Sequence, residues 1–261
     1  MTILDTIVKK TKERVISNKK NISLQKMIKL AEEKNNNDFI FENAIKKYDN
    51  RINFICEVKK ASPSKGIIDE KFSYIEIAKS YEKANASAIS CLTEPYYFLG
   101  SNEYLKEIKN NVSIPVLRKD FIVDEYMIYE SKVINADCIL LIAAILDNKE
   151  LNDYYSLANS LGLSSIVEIH NENDLEKAIK IDSKIIGINN RNLKTFETNI
   201  YTTINIAKKL PKDIISISES GIKNRDDIKL LEEYNINAVL IGEQLMKKDN
   251  KIKEIKTLMG Y

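Results

Sequence analysis

From residue 53 onward the chain alternates short apolar runs with longer amphipathic segments, and this alternation limits the fold more than any other feature. Eight runs read as strands: Phe54–Lys59, Ala88–Thr93, Pro115–Lys119, Cys138–Ile142, Ser165–Glu168, Ile185–Asn189, Ile214–Ser218 and Ala238–Ile241. Most are apolar without a break. A sheet with one wet face would alternate polar and apolar side chains, so these runs predict parallel strands buried on both faces. The segments between them have recognisable starts. Ser73 precedes Tyr74–Lys83, Asp124 precedes Glu125–Ile134, Asp147 precedes Asn148–Leu161 and Asn224 precedes Arg225–Glu233. Such side chains accept hydrogen bonds from the free N–H groups of a first helical turn. Eight strand–helix alternations in about 200 residues predict an α/β protein with a closed (β/α)8 TIM barrel. An open doubly wound sheet is the alternative, but its usual opening Gly-x-Gly-x-x-Gly is absent.

Residues 1–50 hold no strand candidate. Leu4, Ile7, Val8 and Val15, then Leu24, Met27, Ile28 and Ala31, recur at helical spacing, with Ser23 placed to cap the second helix. This region is expected to be a helical extension packed on a barrel of residues 51–261, the whole forming one domain. The charged start, Met1 to Asn21, has no apolar stretch of signal or membrane length. The 40 basic and 38 acidic residues nearly cancel, which gives no electrostatic case for nucleic acid or an anionic membrane. Cys56, Cys91 and Cys138 lie inside apolar runs and read as reduced core thiols. Without a Cys-x-x-Cys, and with His170 as the sole histidine, a metal site is not expected. A cytoplasmic protein, either a monomer or a weak homo-oligomer, is the expectation.

Active sites of such barrels sit at the carboxyl ends of the strands. The first run ends in Glu57-Val58-Lys59-Lys60-Ala61-Ser62-Pro63-Ser64-Lys65-Gly66. Alternate side chains of a strand share a face, so Glu57 and Lys59 point the same way. A carboxylate and an ammonium in the mouth of a buried sheet are costly unless they meet each other or a substrate. The other runs end in Thr93-Glu94, Arg118-Lys119-Asp120, Glu168 with His170, Asn189-Asn190-Arg191, Glu219-Ser220-Gly221 and Gly242-Glu243. The fourth ends in Ala143-Ala144, a candidate apolar wall for a ring. The strand beginnings carry no comparable charges. Of only seven glycines, Gly66, Gly221 and Gly242 follow the first, seventh and eighth strands. The last two fall where barrels bind phosphate through backbone N–H groups. Glu243 suits such a site only with its side chain turned away. His170 reads as a residue at the start of a helix.

Together these segments resemble the indole-3-glycerol-phosphate synthase family. The matching stretches are Glu57–Gly66, Leu92–Pro95 with Phe98 and Gly100-Ser101, Pro115–Asp124, Leu140–Ile142, Val167–His170, Gly187–Phe196, Ser218–Arg225 and Val239–Met246. They span nearly the whole chain in order, and the helical extension fits the family too. The resemblance implies a carboxy-lyase of tryptophan biosynthesis acting on a small phosphosugar–anthranilate substrate without cofactor or metal. It implies Lys119 as general acid, Glu168 as base and Lys59 as a second catalytic lysine. It implies that Glu57, Asn189, Glu219 and Ser220 orient the substrate and that Ser62 and Arg191 bind it. Gly221, Gly242 and Glu243 would make the phosphate site. Another phosphosugar barrel, or a barrel serving only as a scaffold, is the rival reading. Two lysines with several carboxylates suit a multi-step condensation better than an isomerisation, and the key acid and base positions are intact.

Overall fold

A computed structural model of the chain describes residues 2–34, 39–46, 51–192 and 195–261. Residues 193–194, inside the matching stretch Gly187–Phe196, and residues 1, 35–38 and 47–50 of the extension lie outside these. Three helices come first: α1 (Ile3–Asn21), α2 (Leu24–Glu32) and α3 (Ile40–Ile45). The barrel opens with β1 (Asn53–Val58), followed by a small antiparallel hairpin of β2 (Ala61–Ser62) and β3 (Gly66–Ile67). Then come α4 (Tyr74–Lys83), β4 (Ala88–Leu92), α5 (Asn102–Lys109), β5 (Val116–Lys119), α6 (Glu125–Val133), β6 (Cys138–Ile142), α7 (Asn148–Ser160) and β7 (Ser164–Ile169). The chain continues through α8 (Glu172–Lys180), β8 (Ile185–Asn189), α9 (Tyr201–Ala207), β9 (Ile215–Glu219), α10 (Arg225–Glu233), β10 (Ala238–Ile241), α11 (Glu243–Met246) and α12 (Lys251–Met259). Eight strands close in the order β1-β10-β9-β8-β7-β6-β5-β4, all parallel, with β1 pairing both β10 and β4.

The expected strands are present, three of them with the expected bounds and the others shifted by a residue or so at one or both ends. The side chains of Ser23, Asp124, Asp147 and Asn224 accept from the N–H groups of Lys26, Tyr126, Glu150 and Asp226 with Asp227. Ser73 is the exception and caps nothing. The turn before α4 is organised by the Asp69 carboxylate, which accepts from the N–H groups of Lys71 and Phe72.

The two-residue period of the strands sorts side chains between two environments. One face packs on the outer helices. The other fills the barrel, where Ile55, Leu117, Cys138, Leu140, Ile166, Ile185, Ile217 and Leu240 form a continuous apolar plug. Phe41 and Ile45 of α3 join that plug, and the Asn53 amide donates to the Ile45 carbonyl at 2.9 Å. The third helix therefore closes the N-terminal end of the barrel. Burying a side chain such as Phe41 contributes about 1.5–3 kcal/mol over leaving it in water.

The first two helices lie against α6, where Val15 and Met27 share a buried cluster with Ile122, Tyr126 and Met127. Two ion pairs reinforce the contact. Arg14 grips both oxygens of Asp120 at 2.9 and 3.0 Å, and Lys19 meets Asp124 at 2.8 Å. Asp120 is buried and also accepts from the Thr93 hydroxyl at 2.7 Å. Burial opposes its ionisation, but Arg14 and Arg118 outweigh burial and hold its carboxyl below the usual range.

Candidate active site

Two residues beyond the apolar plug, the inward positions turn polar. Ile55 is followed by Glu57, Leu117 by Lys119, Ile166 by Glu168, Gly187 by Asn189 and Ile217 by Glu219. The period of two carries all five side chains to the carboxyl end of the barrel interior. They line one cavity of about 650 Å³ together with Lys59, Ser62, Arg191, Ser220, Gly221, Gly242 and Glu243. Every site residue expected from the sequence is therefore in one place.

Lys119 is the electrostatic centre. Its Nζ lies 2.5 Å from Oε2 of Glu219 and 3.1 Å from Oε2 of Glu168. Burial works against the ammonium form, yet Glu219, Glu168 and Glu57 outweigh it and hold Lys119 well above the usual lysine range. The two carboxylates are driven apart. Burial opposes ionisation of Glu168, but Lys119, His170 and the Asn189 amide keep it below its ordinary value. Burial dominates at Glu219, and with Glu168 and Glu57 nearby its carboxyl is pushed up to about 7 in spite of Lys119. Among the described residues Glu219 Oε1 is buried without a hydrogen-bond partner. Unlike environments for neighbouring carboxyl groups separate acid from base in one site. Across the cavity Lys59 pairs with Glu57 at 2.5 Å, so the face shared by these two residues holds an ion pair in the absence of substrate.

Two glycines make room for these carboxylates. A Cβ on Gly187 would collide with Oε1 of Glu219, and one on Gly242 would collide with Oε1 of Glu57. A side chain at Gly242 would therefore strike Glu57 before it reached the cavity. The backbone expectation is compatible with the geometry. Among the described residues no backbone carbonyl accepts from the N–H of Gly221 or Gly242. Ser220 and Gly221 both have left-handed φ, 68° and 78°, which turns the chain sharply at the end of β9.

Helix ends contribute less here than barrel phosphate sites usually allow. The Asn224 side chain already occupies the N–H groups at the start of α10, and α11 is one turn long. Lys65, Lys223 and Lys247 line the same rim and make it positive. Glu243 turns to Lys247 at 2.6 Å and lies 3.9 Å from Arg191. Burial opposes its ionisation, while Lys247, Lys65 and Lys59 hold its carboxyl low. It acts as a counter-charge among cations, and only its backbone is free to meet an anion. Ser62 is buried in the hairpin beside Ser64, and the Arg191 guanidinium donates to the Phe196 carbonyl at 3.0 Å.

Other charged residues at strand ends serve the scaffold. The Glu94 carboxylate accepts from the N–H groups of Tyr96, Tyr97 and Phe98. Arg118 points outward and is satisfied by Thr93, Met127, Ser131 and Glu130. The apolar wall is not Ala143-Ala144: neither lines the cavity, because Ala143 packs in the cluster against the outer helices and Ala144 is exposed. Leu92, Leu140, Ile142, Leu240, Phe98 and Phe121 line it, and Ile3, Leu4 and Ile7 of α1 reach the cavity from the extension. Helical spacing marked two of those three as an apolar stripe without showing that they face a site. His170 was also undervalued, since its Nε2 lies 3.3 Å from Oε1 of Glu168. Among the described residues no cluster of His, Cys, Asp and Glu could hold a metal ion, and no helix is long and apolar enough to cross a membrane.

Comparison with known proteins agrees with this geometry. The family model described as Indole-3-glycerol phosphate synthase matches residues 4–258. An indole-3-glycerol phosphate synthase of Ruminiclostridium cellulolyticum is 52% identical over 260 residues, covering 99% of both chains. One of Endomicrobium trichonymphae is 51% identical, covering 98% of this chain and 99% of its own. Among solved structures, the 3-hexulose-6-phosphate synthase of Salmonella typhimurium superposes with a TM-score of 0.66. It has 12% sequence identity and covers 80% of this chain and 97% of its own, so it is a likeness of fold alone.

Proposed function

The chain belongs to the indole-3-glycerol phosphate synthase family, and from that premise we propose how the residues at the barrel mouth divide the reaction. The reaction closes the pyrrole ring of 1-(2-carboxyphenylamino)-1-deoxyribulose 5-phosphate, releases carbon dioxide and then water, and yields indole-3-glycerol phosphate. The observation that carries the division of labour is Lys119, held between Glu168 and Glu219 in a buried cavity. Its neighbours keep it an ammonium at neutral pH, so it enters the cycle with a proton to give.

Ring closure puts negative charge on the ketone oxygen as the aryl carbon attacks. Lys119 protonates that oxygen. Loss of carbon dioxide then restores the aromatic ring. Dehydration needs a base for the departing proton and an acid for the departing hydroxyl. Glu168, kept ionised, is the base, and Lys59, paired with Glu57, is the acid. Lys59 also meets the substrate carboxylate. Asn189, whose amide donates to Glu168 Oε1 at 3.2 Å, orients the anilino group together with Glu57, Glu219 and Ser220. The ring lies on the wall of Leu92, Leu140, Ile142 and Phe121. Ser62 and Arg191 bind the chain of the substrate, and the backbone of Gly221, Gly242 and Glu243 receives the phosphate amid the rim lysines. We further read the enzyme as a monomer or weak homo-oligomer of the cytoplasm, with no nucleic-acid or membrane partner. The three free, buried cysteines suit a reducing compartment.

The test is Lys119→Ala in an assay of indole fluorescence. A positioned acid contributes about 10²–10⁴-fold, so kcat should fall by that order while KM changes much less. A variant within about threefold of wild-type turnover would remove Lys119 from the acid role.

A further inference from the structure

We propose that His170 is a positioning residue for this reaction, an imidazolium held between Asp174 and Glu168 that keeps Glu168 ionised after Lys119 has given up its proton. The proposal rests on the reading of Lys119 as acid and Glu168 as base, and it assigns work to a group which that reading leaves idle. No proton leaves His170 in the cycle; its contribution is a fixed charge.

The geometry is two-sided. Glu168 Oε2 faces Lys119, whereas Oε1 faces His170 at 3.3 Å and the Asn189 amide at 3.2 Å. Behind the imidazole, Nδ1 lies 3.8 Å from Oδ2 of Asp174. That oxygen is itself fixed at the start of α8, accepting from the His170 backbone N–H at 3.0 Å and the Asn171 amide at 3.1 Å. Among the described residues neither ring nitrogen makes a hydrogen bond of good geometry, and the ring faces a carboxylate on either side.

The charge balance of the cavity gives the ring its use. Glu57, Glu168 and Glu219 converge there against Lys59 and Lys119. When Lys119 passes its proton to the ketone oxygen, one positive charge leaves the cluster. A buried carboxylate without a cation takes up a proton readily, and a protonated Glu168 cannot serve as base in the next step. The groups acting on His170 are Asp174 on α8, Glu168 on β7 and, at longer range, Glu219 on β9. Burial opposes its charge, yet these three carboxylates outweigh burial and keep it protonated to higher pH than a free histidine. The imidazolium therefore remains beside Glu168 through the interval when Lys119 is neutral.

His170 is the only histidine in the chain, so the imidazole C–H resonances of an untagged sample belong to one ring by NMR. Its titration midpoint should lie above the usual histidine value and fall by about one pH unit in Glu168→Gln, the effect of removing an adjacent opposite charge. An unchanged midpoint in that variant would overturn the coupling, whether or not any His170 variant folds. The second measurement is single-turnover kinetics of His170→Gln across pH, which keeps a donor near Oε1 and removes the charge. The acid limb of indole formation should move up by about one pH unit while that of carbon dioxide release stays in place. Limbs that both move, or that both stay, refute the proposal. The base reading fails separately, if Glu168→Gln leaves product formation coupled to carbon dioxide release at the wild-type rate.

Discussion

Gly187→Ala adds one methyl group to the barrel interior, yet it should cost the enzyme far more than a methyl group suggests. The new Cβ would fall inside contact distance of Glu219 Oε1 and 2.9 Å from the Ile166 side chain. Ile166 is buried in the plug and Gly187 is paired in the β7–β8 ladder, so neither can retreat easily. Glu219 must move, by roughly 1 Å to regain ordinary contact. It cannot do so without disturbing Lys119, which it holds at 2.5 Å. A misplacement of about 1 Å in a reacting constellation costs on the order of 10²-fold in rate. Overpacking of a core costs about 1–3 kcal/mol, which a barrel of this size should survive. The assay is steady-state indole fluorescence on Gly187→Ala, Glu219→Ala and the double variant, with thermal melts alongside. Truncating Glu219 removes the collision, so the glycine substitution should have little further effect on kcat in that background. Equal losses with and without Glu219 would show that the methyl acts through Ile166 or the strand, and would refute the reasoning.

Two other sites make similar claims. Gly242→Val should lower kcat by about 10²-fold as well as raise KM, because the side chain displaces Glu57 from Lys59; a change confined to KM in steady-state kinetics would mean that Glu57 is not displaced. Asp120→Asn leaves Arg14 and Arg118 without their shared carboxylate, and breaking a buried pair costs about 3–5 kcal/mol in a urea melt at pH 7. Asp120 has a lowered folded pKa, so its contribution is present above the unfolded value near 3.8 and lost as pH falls through the folded one. The stability gap between wild type and Asp120→Asn should therefore close below about pH 4, and a gap constant with pH would contradict the ion-pair origin.

Most of the barrel was legible because its strands are short, apolar and bounded by side-chain caps, so that periodicity and capping agree. Ser73 misled because a serine at the right place need not cap when Asp69 already satisfies the turn. The catalytic candidates were legible as the polar residues that end the apolar runs: Glu57, Lys119, Glu168, Asn189 and Glu219 each lie two residues past an inward strand position, which for four of them is a residue of the apolar plug. Other features depend on distances that no spacing encodes. Gly187 reads as an ordinary strand residue until the Glu219 carboxylate is seen beside it on the neighbouring strand. Leu4 and Ile7 show only helical periodicity, Ile3 falls outside the stripe, and the exposure of all three to the cavity depends on where α1 docks. The signal at His170 was Asp174 four residues on, a spacing that places the carboxylate beside a histidine preceding a helix.

The division of labour between Lys119 and Glu168 is tested most directly by single-turnover kinetics of Glu168→Gln, following carbon dioxide release and indole formation in the same reaction. The amide preserves the shape and the contacts of the side chain but removes the basic oxygen. Carbon dioxide should appear at near the wild-type rate while indole formation lags by about 10²-fold or more, with the ring-closed intermediate trapped by acid quench. If the two products stay coupled at the wild-type rate, Glu168 is not the base and the assignment of the barrel mouth is wrong.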